Sequence, residues 1–265
     1  MAMQTNGNDT LGYTVLGCGP SPVMVMHEWM GDHTNYDLIH PYLDREAFTW
    51  IFVDLRGYGL SRQLTGKFTC REAAADILAL ADRLNLGTFH LIGHSMSALV
   101  AQRVAASAPD RVSTLIAVTP LPASGAPFPD GARPAMEKVI TDDDAAMEAI
   151  HLRTGERYNR SWLLWKLSLA RRASTIPARE GYLSMILDTD FEDDAKDLAV
   201  PVRVITGAHD IPLFREASLR EPFTRLYPDL EILTIGEAGH YPMLECPILF
   251  ASTVERFCRE SEEKG

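Results

Sequence analysis

Residues 93–97 read Gly93-His94-Ser95-Met96-Ser97, with the apolar run Phe89-His90-Leu91-Ile92 before them and an Ala- and Val-rich stretch over 96–107 after them. A strand that turns directly into a helix at this point leaves Ser95 on a sharp, strained corner. Its hydroxyl stands above the sheet edge, and its backbone neighbours lie at a helix N-terminus. A serine hydroxyl is a weak nucleophile until a base takes its proton, and that base must be oriented by a third group. Among eight histidines, His240 suits the base. It lies in Glu237-Ala238-Gly239-His240-Tyr241-Pro242, between the last strand-like run and the last helix-like run. Asp210 suits the orienting acid, in Thr206-Gly207-Ala208-His209-Asp210 directly after the run Val202–Ile205. It would accept the ring N–H of His240 and fix the tautomer.

Charge developing on a substrate carbonyl needs two N–H donors. The backbone N–H of Met96, next to the nucleophile, is the natural first. The second is expected from the loop His27-Glu28-Trp29-Met30-Gly31-Asp32-His33, with the Trp29 N–H as donor. His27 reads as structural, holding that loop by side-chain hydrogen bonds. His27, Met30, Trp162 and Trp165 are candidates to border a substrate pocket. Cys246 lies six residues after His240, but nothing sets it on a strained turn or at a helix start, so a thiol mechanism is not expected.

The elements that must position these groups recur at steady intervals. Continuous apolar runs at 23–26, 50–53, 89–92, 114–118, 202–205 and 231–235 suit parallel strands covered on both faces. Helical periodicity appears between them over 71–85, 96–107 and 247–258, the last led by Pro247. A hairpin around residues 11–16 is expected to add an antiparallel edge. The fold class is therefore α/β: a doubly wound, mostly parallel sheet with helices on both faces. From Pro120 to about Asp197 the strand rhythm stops. Turn residues give way to helical segments near 135–152, 160–173 and 178–188, too long a stretch for a loop. A helical cap, residues 121–197, is expected after the sixth strand, over a core of 1–120 and 198–265.

Composition limits the partners. The net charge of −11, with 36 acidic against 25 basic residues, repels phosphate backbones and argues against nucleic acid. No run approaches the roughly 20 apolar residues of a membrane span. Residues 1–10 carry no basic segment leading into an apolar run, and four scattered cysteines (Cys18, Cys70, Cys246, Cys258) suit reduced thiols. Cytoplasm is the expected compartment. The acidic clusters 142–144 and 192–194 read as solvated helix ends.

Four segments, in order, carry a resemblance: His27-Glu28-Trp29, Asp54-Leu55-Arg56-Gly57-Tyr58-Gly59-Leu60-Ser61, the turn at Ser95, and Gly207…Asp210…Gly239-His240. The chain resembles the α/β-hydrolase fold superfamily, in its serine esterase, lactonase and haloperoxidase-like branch, over residues 12–120 and 198–258. Two positions depart from the pattern. Glu28 stands where a glycine usually follows the oxyanion-loop histidine, and Ser97 replaces the final glycine of G-x-S-x-G. A serine nucleophile argues against the epoxide hydrolases and haloalkane dehalogenases of this fold. The resemblance implies an acyl-enzyme on Ser95 and hydrolysis of a small, apolar ester or related carbonyl, with neither metal nor organic cofactor. Lactone, enol-lactone or carbon–carbon bond hydrolysis, perhydrolysis, or cofactor-free oxygenation would use the same groups. A non-enzymatic ligand receptor would be expected to have lost one of the three.

Overall fold

The computed structural model describes residues 2–4 and 10–262. Eight strands form one sheet: β1 (Ala2–Gln4), β2 (Tyr13–Leu16), β3 (Ser21–Met26), β4 (Phe48–Val53), β5 (Phe89–His94), β6 (Val112–Val118), β7 (Val202–Gly207) and β8 (Leu230–Ile235). Their order across the sheet is β1-β2-β4-β3-β5-β6-β7-β8, with β1 and β2 antiparallel and the rest parallel. The antiparallel edge expected from a hairpin around residues 11–16 is present: β2 pairs antiparallel with β1 on one side and with β4 on the other. Every residue of β5 and β7 is buried, as continuous apolar runs require.

Helices α1 (Cys70–Arg83), α2 (Met96–Ser107), α8 (Glu216–Leu226) and α10 (Pro247–Glu262) cover the sheet, and α9 (Pro242–Glu245) is a single turn after β8. Between β6 and β7 run α3 (Ala132–Thr141), α4 (Asp143–Arg153), α5 (Arg160–Ala173), α6 (Ile176–Asp188) and the short α7 (Glu192–Ala195). The helix anticipated over 135–152 is two helices. Asp142 leaves helical geometry, and its carboxylate accepts from the Asp144 and Ala145 N–H groups, so it caps α4 and stops α3. Apolar periodicity runs through such a break without registering it.

The sheet order sets the site. Strand β3 pairs with both β4 and β5, so the chain leaves β3 and β5 side by side where the winding reverses. Met26 and Gly93 are register partners, which brings the segments after them into contact. Those segments are the Glu28–Met30 loop and the Ser95 turn.

Candidate active site

Ser95 has φ +53° and ψ −109°, a conformation that a side chain rarely adopts. It persists because both flanks are fixed. A Cβ on Gly93 would come within 2.4 Å of the Ser97 carbonyl oxygen, so only glycine lets α2 start this close to β5. The Ser95 N–H donates to the Val118 carbonyl at 2.8 Å. Ser97, in the position of the missing glycine, makes its hydroxyl part of the turn. It accepts from the His94 N–H at 2.9 Å and lies 3.1 Å from the Met26 carbonyl oxygen.

His240 Nε2 lies 2.9 Å from Ser95 Oγ, and His240 Nδ1 lies 2.6 Å from Asp210 Oδ2. A carboxylate can only accept, so the shared proton sits on Nδ1 and Nε2 accepts from the serine hydroxyl. Asp210 and His240 are buried, while Ser95 keeps 8% of its surface exposed. The other Asp210 oxygen, Oδ1, accepts from the Ile211 N–H at 2.7 Å. Close backbone approach makes the meeting of these loops possible. A Cβ on Gly207, which ends β7, would stand 2.0 Å from the Gly239 carbonyl oxygen. Three expected residues from three loops thus form one hydrogen-bonded line.

Several residues that hold this line are absent from the motif reading. Glu245 accepts from the N–H groups on both sides of His240, from Gly239 at 2.9 Å and Tyr241 at 2.8 Å, and pairs with Arg157. The His240 N–H itself donates to the Arg153 carbonyl at 2.8 Å. His94 Nε2 donates to the His240 carbonyl at 2.7 Å. Burial, with the neighbouring His240 ring, holds the His94 imidazole down at about 3, so it is neutral and cannot compete as a base. Glu245, five residues after His240 at a helix end, carried a legible signal. His94 did not, because the motif leaves that position open.

Met96 is the first residue of α2, so its N–H has no acceptor within the helix. Among the described residues no protein group accepts from the Trp29 N–H. Met30, Trp29 and Glu28 line the cavity. His27 does not: its Nδ1 donates to the Glu28 carbonyl at 2.8 Å and its Nε2 accepts from the Leu55 N–H at 3.1 Å, so it is a loop brace and not a pocket residue. Trp162 and Trp165 also fall outside the lining. Trp162 stacks on Tyr158 with ring centroids 4.3 Å apart, and Trp165 is 38% exposed. The reason is the placement of α5, which backs the oxyanion loop through Lys166 and contributes nothing to the cavity wall.

The Asp54–Ser61 segment is a second brace. Asp54 accepts from the His33 N–H at 2.8 Å and ring Nδ1 at 2.6 Å, and from the Leu60 N–H at 2.8 Å. Tyr58 donates its hydroxyl to the Trp29 carbonyl at 2.9 Å. Burial and the Glu245 carboxylate push the Cys246 thiol up, away from thiolate.

Above Ser95 opens a cavity of about 820 Å³. Its far wall comes from Phe128, Met136 and Val139, and from Ala149 and Leu152 of α4. Ile211–Phe214 close one side. It is a mostly apolar space with the Ser95–His240–Asp210 line at its floor, sized for a small molecule.

The chain matches the family model of the alpha/beta hydrolase fold over residues 21–247. The protein belongs to the α/β-hydrolase family and is a hydrolase of that fold. It is 26% identical to the pimeloyl-[acyl-carrier protein] methyl ester esterase of Pectobacterium carotovorum, across 94% of this chain and 99% of that one. A stretch covering 37% of the chain is 37% identical to the dihydrolipoyllysine-residue acetyltransferase component of the acetoin cleaving system of Pseudomonas putida, and spans only 26% of that protein. Among solved structures, a thermophilic esterase from Thermogutta terrifontis superposes with a TM-score of 0.81 at 23% identity, over 98% of both chains. No helix among the described residues is long and apolar enough to cross a membrane.

Proposed function

We propose that the protein hydrolyses a small, predominantly apolar ester through an acyl-enzyme on Ser95. The observation that carries this reading is the continuous line from Ser95 Oγ through His240 to Asp210, set on a strained turn beneath an apolar cavity. His240 Nε2 takes the hydroxyl proton as Oγ bonds to the ester carbonyl carbon. The carbonyl π electrons move to oxygen, and the oxyanion is held by the Met96 and Trp29 N–H groups. Collapse breaks the bond to the alcohol, which leaves with the proton from His240. Water then enters, loses a proton to His240, and releases the acid and free Ser95. Asp210 keeps the imidazole in the reactive tautomer throughout. Residues 121–197 act as a cap that selects the substrate over the core of 1–120 and 198–265. The ester choice draws support from the methyl ester esterases that align with almost the whole chain. A cytoplasmic site of action belongs to the same reading, in keeping with four free cysteines.

The test is Ser95→Ala with nitrophenyl acetate and butyrate, beside labelling by a serine-directed fluorophosphonate. Turnover should drop by at least about 10⁴-fold with an unchanged circular dichroism spectrum. Wild-type protein should label at Ser95. Full activity in the folded variant overturns the proposal.

A further inference from the structure

Beside the serine line, Glu28 of the cavity wall forms a buried ion pair with Lys166, which lies behind the wall. Glu28 follows β3 almost directly, and Lys166 comes from the middle of α5, 138 residues further on. Both side chains are buried, Lys166 at 0% exposure. Glu28 Oε1 accepts from Lys166 Nζ at 2.9 Å and from Asn35 Nδ2 at 3.1 Å, while Oε2 accepts from the Met30 N–H. Lys166 Nζ donates a second bond, at 2.8 Å, to the Met30 carbonyl, and stands 4.6 Å from the Tyr241 ring centre. The pair thus grips Met30 by both its N–H and its carbonyl. The Trp29 carbonyl is held by Tyr58, and the Trp29 indole donates to the Arg179 carbonyl at 2.9 Å. None of these contacts uses the Trp29 N–H.

Buried ion pairs add little net stability, because desolvation offsets attraction. An apolar pair would fill the same space. What an apolar pair cannot do is fix a peptide group or decide the charge next to a developing oxyanion. We propose that Glu28 and Lys166 are positioning residues for the oxyanion loop, the carboxylate aiming it and the cap lysine cancelling the carboxylate's charge. The proposal rests on the acyl-enzyme reading of Ser95. It explains why glutamate can stand where the family pattern has glycine: a side chain supplies the acceptor that fixes the loop, provided a cation comes with it. It also ties the cap to the chemistry, since α5 reaches the reaction through Glu28 without touching the cavity.

The charged and titratable groups that face Glu28 are Lys166 from α5, His94 from the serine turn, Tyr36 from the 3-10 helix His33–Tyr42, and Tyr58 and Tyr241 from the segments after β4 and β8. Burial keeps the three phenols above their usual range and His94 low, so all four are neutral near pH 7. Lys166 balances the carboxylate. Burial pushes the Glu28 carboxyl up, but Lys166, with smaller contributions from His94 and the Met30 N–H, outweighs it and brings it to about 2. Without Lys166, burial would dominate and raise it.

The experiment compares four variants and Ser95→Ala with wild type, measuring kcat and KM for nitrophenyl butyrate across pH. Glu28→Ala/Lys166→Met leaves no buried charge and no acceptor for Met30. Its kcat should fall about 10²-fold, the scale of one misplaced oxyanion donor, with KM within about threefold. Glu28→Gln/Lys166→Met keeps a neutral acceptor and should recover kcat to within about tenfold of wild type. Lys166→Met alone should lose kcat as pH rises through the raised Glu28 value, a dependence that Glu28→Gln/Lys166→Met lacks. Glu28→Gln alone, which strands the lysine, should be the least stable in thermal unfolding. Equal kcat in the two double variants, or wild-type kcat in Glu28→Ala/Lys166→Met, overturns the positioning role. Both double variants retain charge neutrality, so they decide the matter even where a single variant fails to fold. If Ser95→Ala stays active, the serine reading falls, and this proposal with it. If Ser95→Ala is dead while Glu28→Ala/Lys166→Met is unimpaired, only the pair is refuted.

Discussion

The floor and the roof of the cavity are built differently. The floor consists of loops after β3, β4, β5, β7 and β8, held by polar contacts between and within them: His94 to the His240 carbonyl, Glu245 to the N–H groups flanking His240, and Tyr58 to the Trp29 carbonyl. The roof presents Met136, Val139, Ala149 and Leu152 from α3 and α4, side chains that touch without directional bonds. A hydrogen-bonded loop has few alternative arrangements, whereas apolar surfaces can repack at modest cost. The floor is therefore suited to holding reacting atoms within fractions of an ångström, and the roof to selecting among substrates.

The sharpest way to break this contrast is at the floor. Asp210→Asn would turn an acceptor-only group into one that can donate, favouring the wrong His240 tautomer. A loss in kcat on the order of 10³–10⁴ is expected, with the fold intact. A loss below tenfold would mean that the Nδ1 contact does not orient the base. Gly93→Ala tests the packing beneath the same line. The added methyl meets the Ser97 carbonyl oxygen, so α2 must shift, with destabilisation of about 1–3 kcal/mol in chemical denaturation. Fluorophosphonate labelling of Ser95 should slow in parallel. Normal labelling with normal stability would show that the turn tolerates the shift.

At the roof the expected effects are smaller and of another kind. Phe128→Ala enlarges the apolar space and should raise the ratio of kcat/KM for longer over shorter acyl esters several-fold, since each buried methylene is worth about 1 kcal/mol. Labelling of Ser95 should be unaffected. A drop in kcat for every ester alike would instead join the roof to the chemistry.

The smallest effect concerns acid. Glu28 and Asp54 are buried carboxylates held below their ordinary values, Glu28 by Lys166 and Asp54 by the His33 ring, in both cases against the opposing push of burial. Groups with depressed folded values contribute stability above the unfolded value and lose it as pH falls toward the folded one. Thermal stability should therefore decline as pH drops from about 4.5 toward 2. The double variant Glu28→Gln/Lys166→Met should flatten that decline. His33 acts in the opposite sense: Asp54 raises its value, so its contribution is present below pH 6.5 and is lost as pH rises through the raised value. An unfolding midpoint unchanged across the acid range would contradict both ion pairs.

How much was legible follows from the range of the forces involved. The strands, α2 and the last helix announce themselves through apolar periodicity and short turn motifs, and Ser95, Asp210 and His240 through their places after strands. Each of those signals is local, lying within about ten residues. Trp162 and Trp165 show where local reading stops. Large aromatics suggest a pocket, yet whether α5 turns them inward depends on how it packs, and there it is Lys166 that points to the site. The break at Asp142 was masked for a related reason: one capping carboxylate ends a helix without disturbing the surrounding apolar pattern.

Side-chain type and short spacing were enough for the alternation of strands and helices, the serine turn, and the order in which Ser95, Asp210 and His240 follow their strands. That Glu28 meets a lysine 138 residues away, that His27 braces a loop, and which helices roof the cavity came from the assembled fold. Those pairings depend on how separate elements dock, and burial makes a charge seek whatever partner the docking brings within reach.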